Sequence, residues 1–164
     1  MLTDDLAIVI SLLSVIISVL SIKVSIKTLN EQKEYNRICE MPIPFVFTMN
    51  YENEIGMEIK NYGKGVLFIQ KIVFKDVKGK ESSCLYDLMP KDINWKNYLQ
   101  TTDNFILAVA PNDKIVFICL SSDNKTEKEK ARKALDNISV KLVYTDVYKR
   151  QSCYSMDFKG HYIM

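Results

Sequence analysis

The chain is short of the residues that carry most enzymatic and metal chemistry. Its single histidine, His161, stands near the very end, so Ser-His-Asp triads, Cys-His pairs and multi-histidine metal sites have nothing to draw on. Four cysteines, Cys39, Cys84, Cys119 and Cys153, form neither a C-x-x-C pair nor a regular framework, which predicts reduced thiols, Cys119 as a small core residue within Ile115 to Leu120. Charge of either sign is also missing in surplus: 22 Lys and Arg against 20 Asp and Glu leave a net charge of +2, too little to argue for nucleic acid as a partner. No repeat and no low-complexity segment breaks the chain.

Glycine and proline are scarce as well, five and four in 164 residues. The one glycine-rich stretch, Asn61-Tyr62-Gly63-Lys64-Gly65, has neither P-loop spacing nor a helix after it, and predicts a strand-to-strand turn with glycine at positive φ. Asp76, Asp87, Asp103, Asp113 and Asp146 are scattered through expected turns, and nothing selects a catalytic pair. No catalytic residue, cofactor or metal site is predicted, and an enzyme is not expected.

What the chain does have is an apolar run from Leu6 to Ile22 without charge, proline or glycine. Its seventeen positions span about 26 Å as a helix, and Lys23 can snorkel outward to lengthen the anchor, so the run predicts one transmembrane helix with the lipid bilayer as its partner. A cleaved signal wants a basic start and a small-x-small site, whereas the chain begins Met1-Leu2-Thr3-Asp4-Asp5. Thr3, Asp4 and Asp5 suit a helix start. No Lys or Arg precedes the span, while Lys23, Lys27, Lys33 and Arg37 follow it closely as membrane-surface cations. The positive-inside bias then predicts the inner, cytoplasmic membrane, crossed once, with the amino terminus outside and the following domain in the cytoplasm.

Ser11, Ser14, Ser18, Ser21, Ser25 and Thr28 are spaced 3, 4, 3, 4 and 3, the heptad rhythm carried by small hydroxyl residues. They form one seam, which predicts a left-handed helix-helix interface and a homo-oligomer; the competing reading is that each hydroxyl bonds its own backbone and specifies nothing.

Residues 1–41 are read as the transmembrane helix and a helical stalk, supported by Lys27 with Glu31 at i,i+4 and ended by Met41-Pro42-Ile43-Pro44. Residues 42–164 are read as one cytoplasmic β-sandwich. Phe45, Phe47, Met49 and Tyr51 alternate with Val46, Thr48 and Asn50, and similar period-two patterns cover Ile55 to Lys60, Val66 to Lys75, Phe105 to Val109, Ile138 to Tyr144 and Tyr154 to Phe158. Ile115 to Leu120 reads as a central strand covered on both sides. Thr126-Glu127-Lys128-Glu129 predicts a capping box opening a short helix, whose Lys125, Lys128, Lys130, Arg132 and Lys133 form a solvated face. Leu88 to Gln100, with Trp95 and Tyr98, reads as a loop packed over a sandwich edge, the alternative being an aromatic binding surface. The fold class is thus mainly β: a transmembrane helix and stalk, then an antiparallel immunoglobulin-like sandwich with one short helix.

The single anchor, the proline-led first strand, Asn61, Gly63 and Gly65 entering an apolar strand, Pro111-Asn112-Asp113 and Tyr144-Thr145-Asp146 resemble the small, uncharacterised, single-pass membrane-anchored immunoglobulin-like proteins of bacteria and their mobile elements. That resemblance covers nearly the whole chain and implies a fold without an established activity. More loosely, an anchor with a small β domain is similar to the membrane effectors of nucleotide-signalled antiphage systems, which pair a β-barrel with two membrane helices where this chain has one. Asp146 to Gln151 is also what the transposon mosaic end of sequencing libraries encodes in one frame, so no functional role is given to it. The expected function is a self-associating membrane-anchored binding or adaptor protein for an unidentified protein or small molecule. The alternative is a membrane-disrupting effector of an antiphage or toxin-type system.

Overall fold

The computed structural model describes residues 2–96, 99 and 106–160, without the side chains of residues 2–4 and 7. Expectations placed on Tyr98, Gln100, Asp103, Phe105 and His161, and on the side chains of Thr3 and Asp4, lie outside the described residues.

No proline or glycine occurs before Pro42, and the chain accordingly forms one uninterrupted helix, α1 (Leu2–Cys39), of 38 residues. At 1.5 Å per residue it is about 57 Å long. From Ile8 it is long and apolar enough to cross a membrane, with mean hydropathy 2.4 and none of that window buried inside the protein. The Lys27–Glu31 pair is present at 3.8 Å, and Arg37 meets Glu34 at 3.6 Å. The chain divides into two compact units after Cys39, two residues before the expected boundary.

Among its described residues the second unit holds eight strands: β1 (Pro44–Asn50), β2 (Glu54–Asn61), β3 (Leu67–Asp76), β4 (Glu81–Ser82), β5 (Leu107–Val109), β6 (Lys114–Ser121), β7 (Ile138–Thr145) and β8 (Gln151–Asp157). One sheet runs β1-β2-β6; the other runs β4-β3-β7-β8, with β5 also on β3, and every pair is antiparallel. Their inner faces share one core, in which Val46, Ile55, Met57 and Ile59 face Leu67, Phe74, Val140 and Leu142. Phe74 and Phe117 meet edge-on at 5.3 Å between ring centroids. Met57 pairs with Ile118 and Glu58 with Val116, so Phe117 is the extra residue of a bulge, and both Phe117 and Ile118 reach the interior.

The strand expected to be central, β6, is instead the end strand of its sheet. It reads as covered because the segment before it closes its open edge. Lys96 exchanges backbone bonds with Cys119, and the Leu99 N–H donates to Phe117 O at 2.8 Å. That segment is the loop predicted over a sandwich edge: Met89, Ile93 and Trp95 are buried, and the Trp95 indole donates to Pro90 O at 3.2 Å. A 3-10 turn, Leu85–Leu88, leads into it.

The short helix α2 (Lys125–Leu135) buries Ala131 and Leu135. Its cap differs from the expected one. Asn124 is the N-cap, its Oδ1 accepting from the backbone N–H of Thr126 and Glu127, so Thr126 lies inside the first turn. Ser122 completes a relay, donating to Glu127 at 2.5 Å while accepting from Asn124 N. Nor are all its cations simply solvated: Lys128 donates to Glu52 O, Lys130 to Asp92 and Arg132 to Asn50, pinning the helix to the β1–β2 turn and to the edge segment.

Candidate functional site

On α1 four of the six seam hydroxyls are back-bonded. Ser14, Ser18, Ser25 and Thr28 donate to the carbonyls of Ile10, Ser14, Ser21 and Val24, all within 2.8–3.0 Å. Each of these hydroxyl protons is satisfied within its own helix, which leaves small volume and oxygen lone pairs facing outward. Beyond Thr28 the unbroken helix carries the same rhythm through Gln32, Tyr35 and Cys39, three positions that the sequence reading stopped short of. In the stalk, Lys23, Lys27, Lys33, Glu34 and Arg37 fall within about 60° of the direction opposite this face at 3.6 residues per turn. Glu31 lies on the flank. One face of α1 is therefore free of charge from Ser11 to Cys39, through the apolar run and past it.

On β1, Val46 is fully buried while Phe45 and Phe47 turn to the outer face. Alternation favours the opposite phase, since Phe45, Phe47, Met49 and Tyr51 are the more apolar set and Val46 shares its face with Thr48 and Asn50. Pro42 and Pro44 set the observed one: both are buried, which turns Met41, Ile43 and Phe45 outward at 44%, 55% and 40% exposure. Phe47 meets Phe45 with tilted rings at 4.5 Å between centroids and Tyr62 edge-on at 5.6 Å, and the Lys60 ammonium lies 4.8 Å over the Tyr62 ring. Beside them Lys114 pairs with the nearly buried Glu58 at 2.9 Å, and its hydrogen bond to that carboxylate raises the ammonium above the usual lysine range.

The outer face of the other sheet carries a groove of about 550 Å³, rimmed by Lys71, Lys75 and Lys141, with Glu81 and Asp157 at one end. Lys75 is paired with Glu81 at 3.3 Å.

The Asn61-x-Gly63-x-Gly65 stretch is structural, and for a different reason from the expected one. Neither glycine has positive φ; among the described glycines that belongs to Gly79 and Gly160. A Cβ on Gly63 would collide with the Met41 carbonyl, and one on Gly65 with that of Glu40. Asn61 is fully buried and its amide is fully used: Nδ2 donates to Gly65 O, Val109 O and Ala110 O, and Oδ1 accepts from Ile43 N and Gly63 N. Its backbone also binds Asn112 and Asp113, where Asn112 takes φ 62°.

Among the described residues no three His, Cys, Asp or Glu side chains gather as a metal site. All four cysteines are free thiols. Burial pushes the Cys119 thiol up, and Cys153 is exposed. Asp146, in the β7–β8 turn, is buried, which by itself raises a carboxyl; the backbone N–H and guanidinium of Arg150 outweigh this and hold it below the usual range. Comparison of the chain with protein-family models, with curated proteins and with solved structures returns no match, so its function is read from its own geometry.

Proposed function

We propose that this chain is a single-pass protein of the bacterial inner membrane that self-associates through α1 and presents its sandwich in the cytoplasm as a binding or adaptor module. The observation that carries the reading is the uncharged face running from Ser11 to Cys39. A lone tether needs no such face in its stalk, where water solvates charge on any side. Because Ser14, Ser18, Ser25 and Thr28 donate within their own helix, the pairing rests on close approach of small residues more than on these hydroxyls donating across. Lys23, Lys27, Lys33 and Arg37, all after the apolar run, favour the cytoplasmic side for the sandwich. The lysine-rimmed groove gives the adaptor reading a place for an anionic ligand.

The test is the triple replacement of Ser14, Ser18 and Ser21 by leucine in the full chain. Self-association in native membranes is expected to fall while the sandwich stays folded and cells grow as before. Self-association at the parental level would remove the interface. If instead the parental chain is toxic and the triple variant is not, the helices act as a membrane-disturbing effector.

A further inference from the structure

We propose that the groove on the outer face of β3, β7 and β8 is a site for a phosphate monoester on a small uncharged body, with the phosphate held between Lys71 and Lys141. The proposal rests on the binding reading given above, not on self-association, and names the chemical class that the groove takes.

The strands bring two unneutralised lysines together on this face. The β3–β7 register passes from Ile69 opposite Tyr144 to Lys71 opposite Val143, so Gln70 is the extra residue of a bulge. Without it, the alternation that buries Ile69 would turn Lys71 inward; with it, Ile72 takes the buried place and Lys71 is exposed. Lys71 then lies across from Val143, and Lys141 across from Val73, so the lysines occupy one diagonal of a square and the valines the other. Diagonal Cβ atoms stand about 7–8 Å apart, which lets two long side chains share one anion. Neither lysine meets a carboxylate within 4 Å among the described residues, whereas Lys75, next on the same face of β3, is neutralised by Glu81 at 3.3 Å. Like charges so placed repel each other until an anion lies between them.

Charge and shape select which anion. A phosphate monoester carries about −1.5 to −2 charge at neutral pH and matches both ammoniums, while a carboxylate leaves one unmatched. Among the described residues no arginine lines the groove, so the planar fork that suits carboxylates is missing, and lysine serves phosphate as a point charge. Ser155, directly across from Lys141, adds a hydroxyl donor. The volume of about 550 Å³ is that of a small-molecule site, and no aromatic ring among its described lining residues is there to stack a nucleobase. Asp157, exposed at the other end, repels a second phosphate.

The test is titration calorimetry of the full chain in detergent with fructose 6-phosphate, fructose, gluconate and fructose 1,6-bisphosphate. Fructose 6-phosphate is expected to bind, fructose and gluconate to bind at least about tenfold more weakly, and the bisphosphate to bind no more tightly than the monophosphate. Lys71→Gln and Lys141→Gln are each expected to weaken fructose 6-phosphate at least about tenfold. Lys133→Gln, which removes the same charge from the exposed side of α2, is expected to leave it unchanged, and emission from the buried Trp95 reports that each variant is folded. An equal loss with Lys133→Gln reduces the effect to net charge and overturns the site. Gluconate bound as tightly as fructose 6-phosphate overturns the phosphate assignment and leaves the groove as a general anion site, so the adaptor reading stands. A tighter bisphosphate overturns the single-phosphate assignment. Phosphatidic acid that binds from the same micelles where fructose 6-phosphate does not assigns the phosphate to a lipid headgroup and overturns the proposal. Binding of no probe overturns the groove, while self-association, read separately from the serine-to-leucine variant, is untouched.

Discussion

At residue scale, one carboxamide does the work that a disulfide does in secreted domains. Asn61 gathers five backbone groups from the lead-in to β1, from the turn after β2 and from the end of β5. Asn61→Ala leaves buried donors and acceptors without partners, each costing about 1–3 kcal/mol. Urea unfolding of the full chain in detergent is expected to show a loss of about 3 kcal/mol, one of the largest for any polar position in this domain. The thiols differ as sharply. Cys119 is buried with its proton held on, Cys153 is exposed, and so a thiol reagent at neutral pH is expected to modify Cys153 promptly and Cys119 only on unfolding. Asp146 supplies the pH dependence. Its folded-state pKa is depressed, so the stability it contributes is present above the ordinary carboxylate pKa and lost as pH falls through the folded value. An acid titration of the native state is expected to loosen the β7–β8 turn below the ordinary carboxylate range, and Asp146→Asn to remove that step.

At the scale of elements, α2 shows how a correct helix can carry a wrong cap. Thr126-x-x-Glu129 satisfies the capping-box spacing, but Asn124-x-x-Glu127 does so two residues earlier, and only Asn124 has Ser122 to complete the relay. Asn124→Ala is expected to cost about 1 kcal/mol, read as an earlier thermal midpoint of the domain, whereas Thr126→Ala should cost much less. The long helix was legible because its cause is local: an apolar run and no breaker before Pro42. Most strands were legible for the same reason, through their period of two. Their places were not. β6 reads as central because Ile115 to Leu120 is continuously apolar, yet its open edge is closed by backbone at Lys96 and Leu99, about twenty residues away, which no periodicity in β6 announces.

For the whole molecule, the two units make separable claims. A chain beginning at Glu40 is expected to leave the membrane fraction while keeping the β spectrum, since every strand and the whole buried core lie beyond Cys39. A domain that stayed with membranes would place its affinity on the sheet surfaces. The candidate surfaces were only partly legible. The hydroxyl seam shows in spacing alone, and its continuation through Gln32, Tyr35 and Cys39 was open to the same count. The outward row on β1 was not, because the alternation of Phe45, Phe47 and Met49 with Val46, Thr48 and Asn50 favours burying the phenylalanines, and the opposite phase comes with Pro42 and Pro44 drawn inward. The lysine groove needs four strands side by side, with Lys71 and Lys141 seventy positions apart in the chain, and belongs to tertiary structure entirely.

Asn61 also sets a clock. Its amide nitrogen bonds Val109, 48 residues further along the chain. At about 5–20 residues per second of synthesis, roughly 2–10 s pass between the appearance of Asn61 and that of its partner. Throughout that interval α1 and the residues of β1 and β2 have already been made, while the Val109 partner of the Asn61 amide has not. For those seconds Val46, Ile55, Met57 and Ile59 lack the half of their core that β5, β6 and β7 supply, and whatever shields them must do so before the chain is finished.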